Sequence, residues 1–235
     1  MRERLQLHIK DMQYREIIAR YHFAENDLEQ LRQVGSLVGE EAKPVIYYGA
    51  FAQEEAGGKE GNSALSFERL SVIVTLGSGV DELQNRYAKK ERLTESYMVE
   101  CISMELLRVA YEQAAERIHV HTGKWMSGFE FVGDKIPFDC MEEIFRHLAP
   151  QEVSFNQAYM LSPKKTVVFL TDLCEERKGS YCHVCGNCSY ISCPDRVAES
   201  VQSTMELGAT PQITESGRNL TYGYQRIFGM GDKVL

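Results

Sequence analysis

Ser71–Tyr87, "SVIVTLGSGVDELQNRY", decides the fold class. Val72–Leu76 is a short β-branched and apolar run of strand length, bounded by Gly77 and Gly79. Leu83 and Tyr87 then begin a three-to-four spacing that continues through Met98, Cys101, Ile102, Leu106, Val109, Ala110, Ala114 and Ile118. A strand therefore gives way to helix across two glycines. The dinucleotide fingerprint would need a third glycine where Glu82 stands, so the stretch reads as a tight strand-to-helix turn.

Working outward, the first forty residues read as mostly helical, with Tyr14, Ile17, Ile18, Tyr21, Leu28, Leu31 and Val34 at helical spacing. "VIYYGAFAQEE" after Pro44 has strand composition. "GGKEGN" at 57–62 is a turn, so this strand and the one ending in "SVIVTLG" are expected to pair antiparallel. The long helical region from about Val80 to His119 is expected to break near "KKERLTES", with Thr94 capping the second half. "KWMSGFEFVG" reads as loop or strand and "PFDCMEEIFRHLAP" as a short helix. "SFNQAYMLSPKKTVVFLTDL" reads as a hairpin turning at 162–165, and "PDRVAESVQSTMEL" as a short helix. Strands separated irregularly by helices, without a βαβ rhythm, give α+β with an antiparallel sheet.

The chain has 235 residues, 43% hydrophobic and 26% charged, enough for a buried core without disulfides. A formal charge of −8 and the lack of a basic stripe exclude nucleic acid as the main partner. The patch Lys89, Lys90, Glu91 and Arg92 reads as a solvated helix face or turn. No apolar run reaches the length of a signal peptide core or a bilayer span, so a cytoplasmic, reducing location without membrane attachment is expected.

In that setting, four of the seven cysteines fall within "SYCHVCGNCSYISCP" (180–194). Cys182, Cys185, Cys188 and Cys193 are spaced C-x2-C-x2-C-x4-C, with Pro194 next. Two residues between cysteines let neighbouring thiolates converge on one centre, and three in succession wrap one face of a cluster. The run is similar to that of bacterial ferredoxins, with one extra residue in the last gap. It favours a [4Fe–4S] cluster. Zinc is the alternative, with Cys174 or His183 as further ligands, and a disulfide or thiol role ranks last. Cys101 and Cys140, on apolar helix faces, read as small buried hydrophobes. His119 and His121 could share one side of a strand but lack a third ligand. Glu112 and Glu116 fall on one helical face as solvated carboxylates.

The succession "SVIVTLGSGVDELQNRY", "LTESYMVECISMELLRVAYEQAAERI", "GFEFVGDKIPFDCMEEIFRHL" and "AYMLSPKKTVVFLTDL" resembles the activation (reactivation) domain of vitamin B12-dependent methionine synthase, in its stand-alone anaerobe-type version. The resemblance implies a twisted antiparallel sheet flanked by helices over 1–175. The cysteine-rich metal-binding segment and tail (176–235) would be appended to the same domain. It also implies S-adenosylmethionine as a ligand and a corrinoid carried by a partner, either a corrinoid protein or a B12-dependent methyltransferase, with an electron-donor protein. Glu112, Lys124, Gly128 and Phe129 match its ligand-binding positions. Two of these depart from the pattern: Lys124 replaces an arginine and loses its planar fork, and Phe129 replaces a tyrosine and loses a hydroxyl. The implied role is an accessory or redox component that reductively reactivates the corrinoid. A zinc-stapled docking module without enzymatic activity is the alternative, and an independent small-molecule methyltransferase is a weaker third.

Cys185→Ser is expected to abolish metal binding, whereas Cys101→Ser lowers stability and leaves metal content intact. Elemental analysis of both variants, purified without oxygen, checks the ligand assignment; equal loss in both would refute it.

Overall fold

The computed structural model describes residues 1–51, 69–177 and 179–181. The chain forms β1 (Arg2–Arg4), α1 (Asp11–Tyr21), a 3-10 turn (Glu25–Asp27), α2 (Leu28–Glu41), β2 (Val45–Ala50) and β3 (Arg69–Thr75). It continues through α3 (Ser78–Lys89), α4 (Leu93–Thr122), β4 (Trp125–Met126), β5 (Glu130–Phe131) and α5 (Cys140–Leu148). Three strands complete it: β6 (Ser154–Phe155), β7 (Leu161–Ser162) and β8 (Thr166–Cys174). The main sheet is curled and antiparallel, in the order β1-β2-β3-β8-β4, with β5 also on β8. This is the α+β class read from the sequence.

Both faces of the sheet are covered, which is why its central strands read as unbroken apolar runs. Ile46, Tyr48, Val72, Val74 and Phe169 face α1–α4, packing with Leu31, Val38, Met98, Ile102 and Ala110. Their sequence neighbours Val45, Tyr47, Ile73, Val168 and Leu170 point the other way, toward Ile144 of α5. The period of two thus divides one apolar strand between two cores. Each fully buried chain of this size stabilises the fold by about 1.5–3 kcal/mol.

The turn between β3 and α3 is as tight as the glycines suggest. Gly77 has φ of 83°, and its N–H donates to Thr75 Oγ1 at 3.1 Å. A Cβ on Gly79 would lie 2.3 Å from the carbonyl oxygen of Glu41, so α2 and α3 approach through this residue.

Local readings fail at four places. β1 falls in the region that reads as mostly helical, but its residues Arg2 to Arg4 pair with Tyr47 to Val45 as a short charged edge strand. Thr94 does not cap α4: the helix begins at Leu93, and Arg92 donates to Glu95 at 2.6 and 2.9 Å. That guanidinium holds the Glu95 carboxyl below its usual range. The hairpin turns at 156–160 rather than 162–165, because Asn156 Oδ1 accepts from the N–H groups of Ala158 and Met160 at 2.9 and 3.0 Å. β8 instead pairs with β3 over seven residues. His119 and His121 lie in the last turn of α4, not on a strand. The expected turn at 57–62 and the helix "PDRVAESVQSTMEL" lie outside the described residues.

Among the described residues, no helix is long and apolar enough to cross a membrane. Cys101 is buried in the helical core, and Cys140 packs at the edge of the α5 core.

Gly79→Ala is expected to destabilise the protein by about 1–3 kcal/mol through the α2–α3 clash. Gly39→Ala on the open face of α2, where a Cβ meets nothing within 4 Å, should stabilise by roughly 0.5–1 kcal/mol. Urea titration of the two variants measures the contrast.

Candidate functional site

The last three turns of α4, the loop that follows and the end of β8 build one surface. Gly123 closes α4 in the left-handed conformation, its N–H donating to His119 O at 2.8 Å. Thr122 Oγ1 then accepts from the N–H of Lys124 at 3.1 Å, setting the exit direction of the loop. Trp125 and Met126 pair with Cys174 and Leu173, and the N–H of Ser127 donates to Asp172 O at 2.8 Å. Lys124–Phe129 is thereby stitched along β8, with Glu112 one helical stretch away on α4.

The residues after β8 fold back over this surface. Glu112 accepts from the N–H of Tyr181 at 2.8 Å and from Ser180 Oγ at 3.3 Å, and it forms an ion pair with Arg177. Lys124 Nζ lies 3.3 Å from Glu175. Tyr181 is buried, and its hydroxyl donates to Met126 O at 2.6 Å. Burial pushes that phenol up from its ordinary value, with the nearby Cys174 adding to the effect and Arg177 opposing it.

Phe129 sits inside an aromatic group. Its ring lies 4.9 Å edge-on to Phe169, 5.2 Å from Tyr111, 5.7 Å stacked on Phe131 and 6.1 Å edge-on to Tyr181. This ring serves packing; the hydroxyl that reaches the loop backbone belongs to Tyr181. Gly128 is half-buried between Ser127 and Phe129. Trp125 is contacted by a ring and a guanidinium. His119 stacks on it at 3.9 Å and 9°, and Arg177 lies over the ring at 5.1 Å. His119 Nδ1 is buried and without a hydrogen-bond partner among the described residues.

Of the residues read from the sequence, Glu112 and the Lys124–Phe129 loop are brought to one surface, joined through Tyr181. Glu116 and His121 do not join them: Glu116 is exposed, and His121 Nε2 lies 3.0 Å from Glu3. Cys182, Cys185, Cys188, Cys193 and His183 lie outside the described residues. Among the described residues, no group of three or more metal-ligating side chains forms. Cys174 Sγ donates to Glu176 O at 3.0 Å.

Sequence reasoning missed Arg177, Tyr181, Trp125 and Glu175. Trp125 is the single tryptophan of the chain and lies within the matched loop, so it carried a signal. Arg177 and Glu175 sit in a charged run after a strand, which reads as solvent-facing until the chain is folded back.

No family model matches the chain, and no curated protein matches it. Among solved structures, the chain is similar to the MetH reactivation domain bound to AdoHcy. It is 8% identical to that structure, which aligns over 77% of this chain and 81% of that one with a TM-score of 0.45. At that distance, neither the ligand nor the reaction of that protein transfers to this one.

Tyr181 keeps its proton more tightly when folded, so its contribution is present below the ordinary phenol value of 10.0 and is lost as pH rises past it. Tyr181→Phe should cost about 1–2 kcal/mol at neutral pH, by removing the bond to Met126 O. It should also flatten the alkaline loss of stability. Thermal melts between neutral and alkaline pH test both effects.

Proposed function

We propose that this protein reductively reactivates a corrinoid protein of the methionine synthase or related methyltransferase type. It would act as an accessory redox component rather than as a self-contained enzyme. The observation that carries the reading is the placement of Tyr181, the residue before Cys182. It bonds to Glu112 through its N–H and to the Lys124–Phe129 loop through its hydroxyl. The start of the cysteine segment is thus tied to the ligand-binding positions implied by the sequence resemblance. The α+β fold agrees with the same resemblance.

In this reading, Cys182, Cys185, Cys188 and Cys193 hold a [4Fe–4S] cluster, which when bound supplies single electrons at low potential. Four closely spaced thiolates suit such a cluster, and zinc is the rival occupant. The ligand surface is tested by its donor set. Glu112 offers a carboxylate for an ammonium group, Lys124 a cation for a carboxylate, and Trp125 an aromatic face. That set fits S-adenosylmethionine, which when bound supplies a methyl cation equivalent. The chain's own residues bind and orient: Lys124 acts as a point charge rather than a fork. The corrinoid comes with the partner protein, and the electrons come from a donor protein.

An anaerobic UV–visible spectrum, recorded before and after dithionite, tests this function. A broad visible absorbance that bleaches on reduction is expected. A colourless protein that releases zinc on denaturation would replace the redox role with a zinc-stapled docking module.

A further inference from the structure

On the face of the sheet away from α4, the packing around Ile144 continues past its buried residues. Phe145 of α5 packs against that core, and three more aromatic rings follow in succession. Phe155 meets Phe145 edge-on at 4.7 Å, Tyr159 stacks on Phe155 at 5.8 Å, and Phe138 stacks on Tyr159 at 5.4 Å. The last ring is 48% exposed, and Met160, next to Tyr159, is 67% exposed. Large apolar side chains gathered in water, instead of scattered singly, mark an interaction surface.

The backbone holds these rings in place. Tyr159 sits in the left-handed region at φ of 57°, which a bulky residue adopts only where its surroundings impose it. Asn156 imposes it: Oδ1 accepts from the N–H groups of Ala158 and Met160, and its own N–H donates to Met160 O at 3.1 Å. The Tyr159 hydroxyl is fixed in turn by donating to Asp139 Oδ1 at 3.1 Å. At the end of the row, Gly133 makes room for Phe138, since a Cβ there would lie 2.6 Å from the Phe138 ring. The arrangement nonetheless leaves Phe138 and Met160 in water.

Charge decides what suits this surface. The hydrogen bond to Asp139, partial desolvation and the charges of Asp139 and Glu142 all push the Tyr159 phenol up from its ordinary value. No cation among the described residues opposes them. A second copy of the chain would bring these carboxylates against their own counterparts across a two-fold contact, and a phosphate-rich surface would be repelled. An arginine answers both halves of the surface, because its guanidinium stacks flat on an aromatic ring and bonds a carboxylate. We infer that the surface formed by Phe138, Tyr159 and Met160 docks a partner protein through a segment that carries arginine beside apolar side chains. Asp139 and Glu142 take the guanidinium, and the flexible Met160 thioether packs on the apolar part. The surface lies on the opposite face of the sheet from α4, which carries Glu112, so the inference does not depend on the proposed function.

The test is fluorescence anisotropy of a labelled helical peptide of leucine and arginine, titrated with the full-length protein. A peptide of the same length with glutamate in place of arginine is the charge control, and circular dichroism confirms that each variant is folded. The arginine peptide should bind, more weakly as salt rises, and the glutamate peptide should not. Asp139→Asn/Glu142→Gln, which keeps an acceptor for the Tyr159 hydroxyl, should bind about tenfold more weakly than wild type. Met160→Ser, at a side chain already in water, should lose affinity severalfold. Glu40→Gln/Glu116→Gln removes the same charge from exposed positions elsewhere, and Leu93→Ser removes an equally exposed apolar side chain. Both should bind as wild type does. Equal losses in these controls would reduce the binding to net charge and general stickiness and overturn the docking surface. Absence of binding by the folded wild type would overturn it too. Self-association in sedimentation that Met160→Ser abolishes would assign the surface to a second copy, again against the inference.

Discussion

The antiparallel seam between β3 and β8 is the constraint on which the rest of the molecule depends. Seven residue pairs, from Arg69 opposite Asp172 to Thr75 opposite Thr166, run through the middle of the sheet with a core on either side. At one end of the seam Thr166 Oγ1 donates to Thr75 Oγ1 at 2.8 Å, and Thr75 in turn accepts from the N–H of Gly77. Buried hydroxyls are tolerated when bonded in this way, and here the bonds also fix the turn that launches α3. At the other end, β8 runs out at Cys174, beside Trp125, and delivers the chain to Glu112. One pairing thus sets both the turn that launches α3 and the strand exit that covers Glu112.

Helix α4 can be central only because its charges are answered. Glu105 is buried, yet it pairs with Arg20, receives the Tyr21 hydroxyl at 3.2 Å and lies 3.6 Å from Arg108. Glu95 is similarly engaged by Arg92 and by Gln30 at 2.8 Å. Removing one partner from such a group typically costs about 3–5 kcal/mol, so these networks constrain the position of α4 against α1 and α2. Further along the same helix, Glu112 lies where burial gives way to solvent. Its partners come from the residues after β8 instead of a second helix.

Much of this was legible in the chain. Helical spacing located α1, α2 and the long helical region that breaks between α3 and α4, strand composition and a turn located the β2–β3 pair, and flanking prolines marked α5. Two glycines marked the tightest turn. Three further features escaped. β1 is too short and too charged to show alternation. Asn156 moved the hairpin turn by bonding two backbone N–H groups that no pattern announces. Thr94 has the right side chain for a cap, but α4 had already begun one residue earlier, where Arg92 could reach Glu95.

What the sequence alone determined is the class of the fold and the tight turn between β3 and α3, since each is a property of neighbouring residues. What only the tertiary structure decided is who meets whom. Tyr181 and Glu112 are 69 positions apart, and nothing local distinguishes Glu112 from Glu116 one turn further on. Periodicity reports that a face is buried, not what covers it. The pairing of β8 with β3 brought Arg177 and Tyr181 across that gap and gave partners to one of two carboxylates that look alike in the sequence.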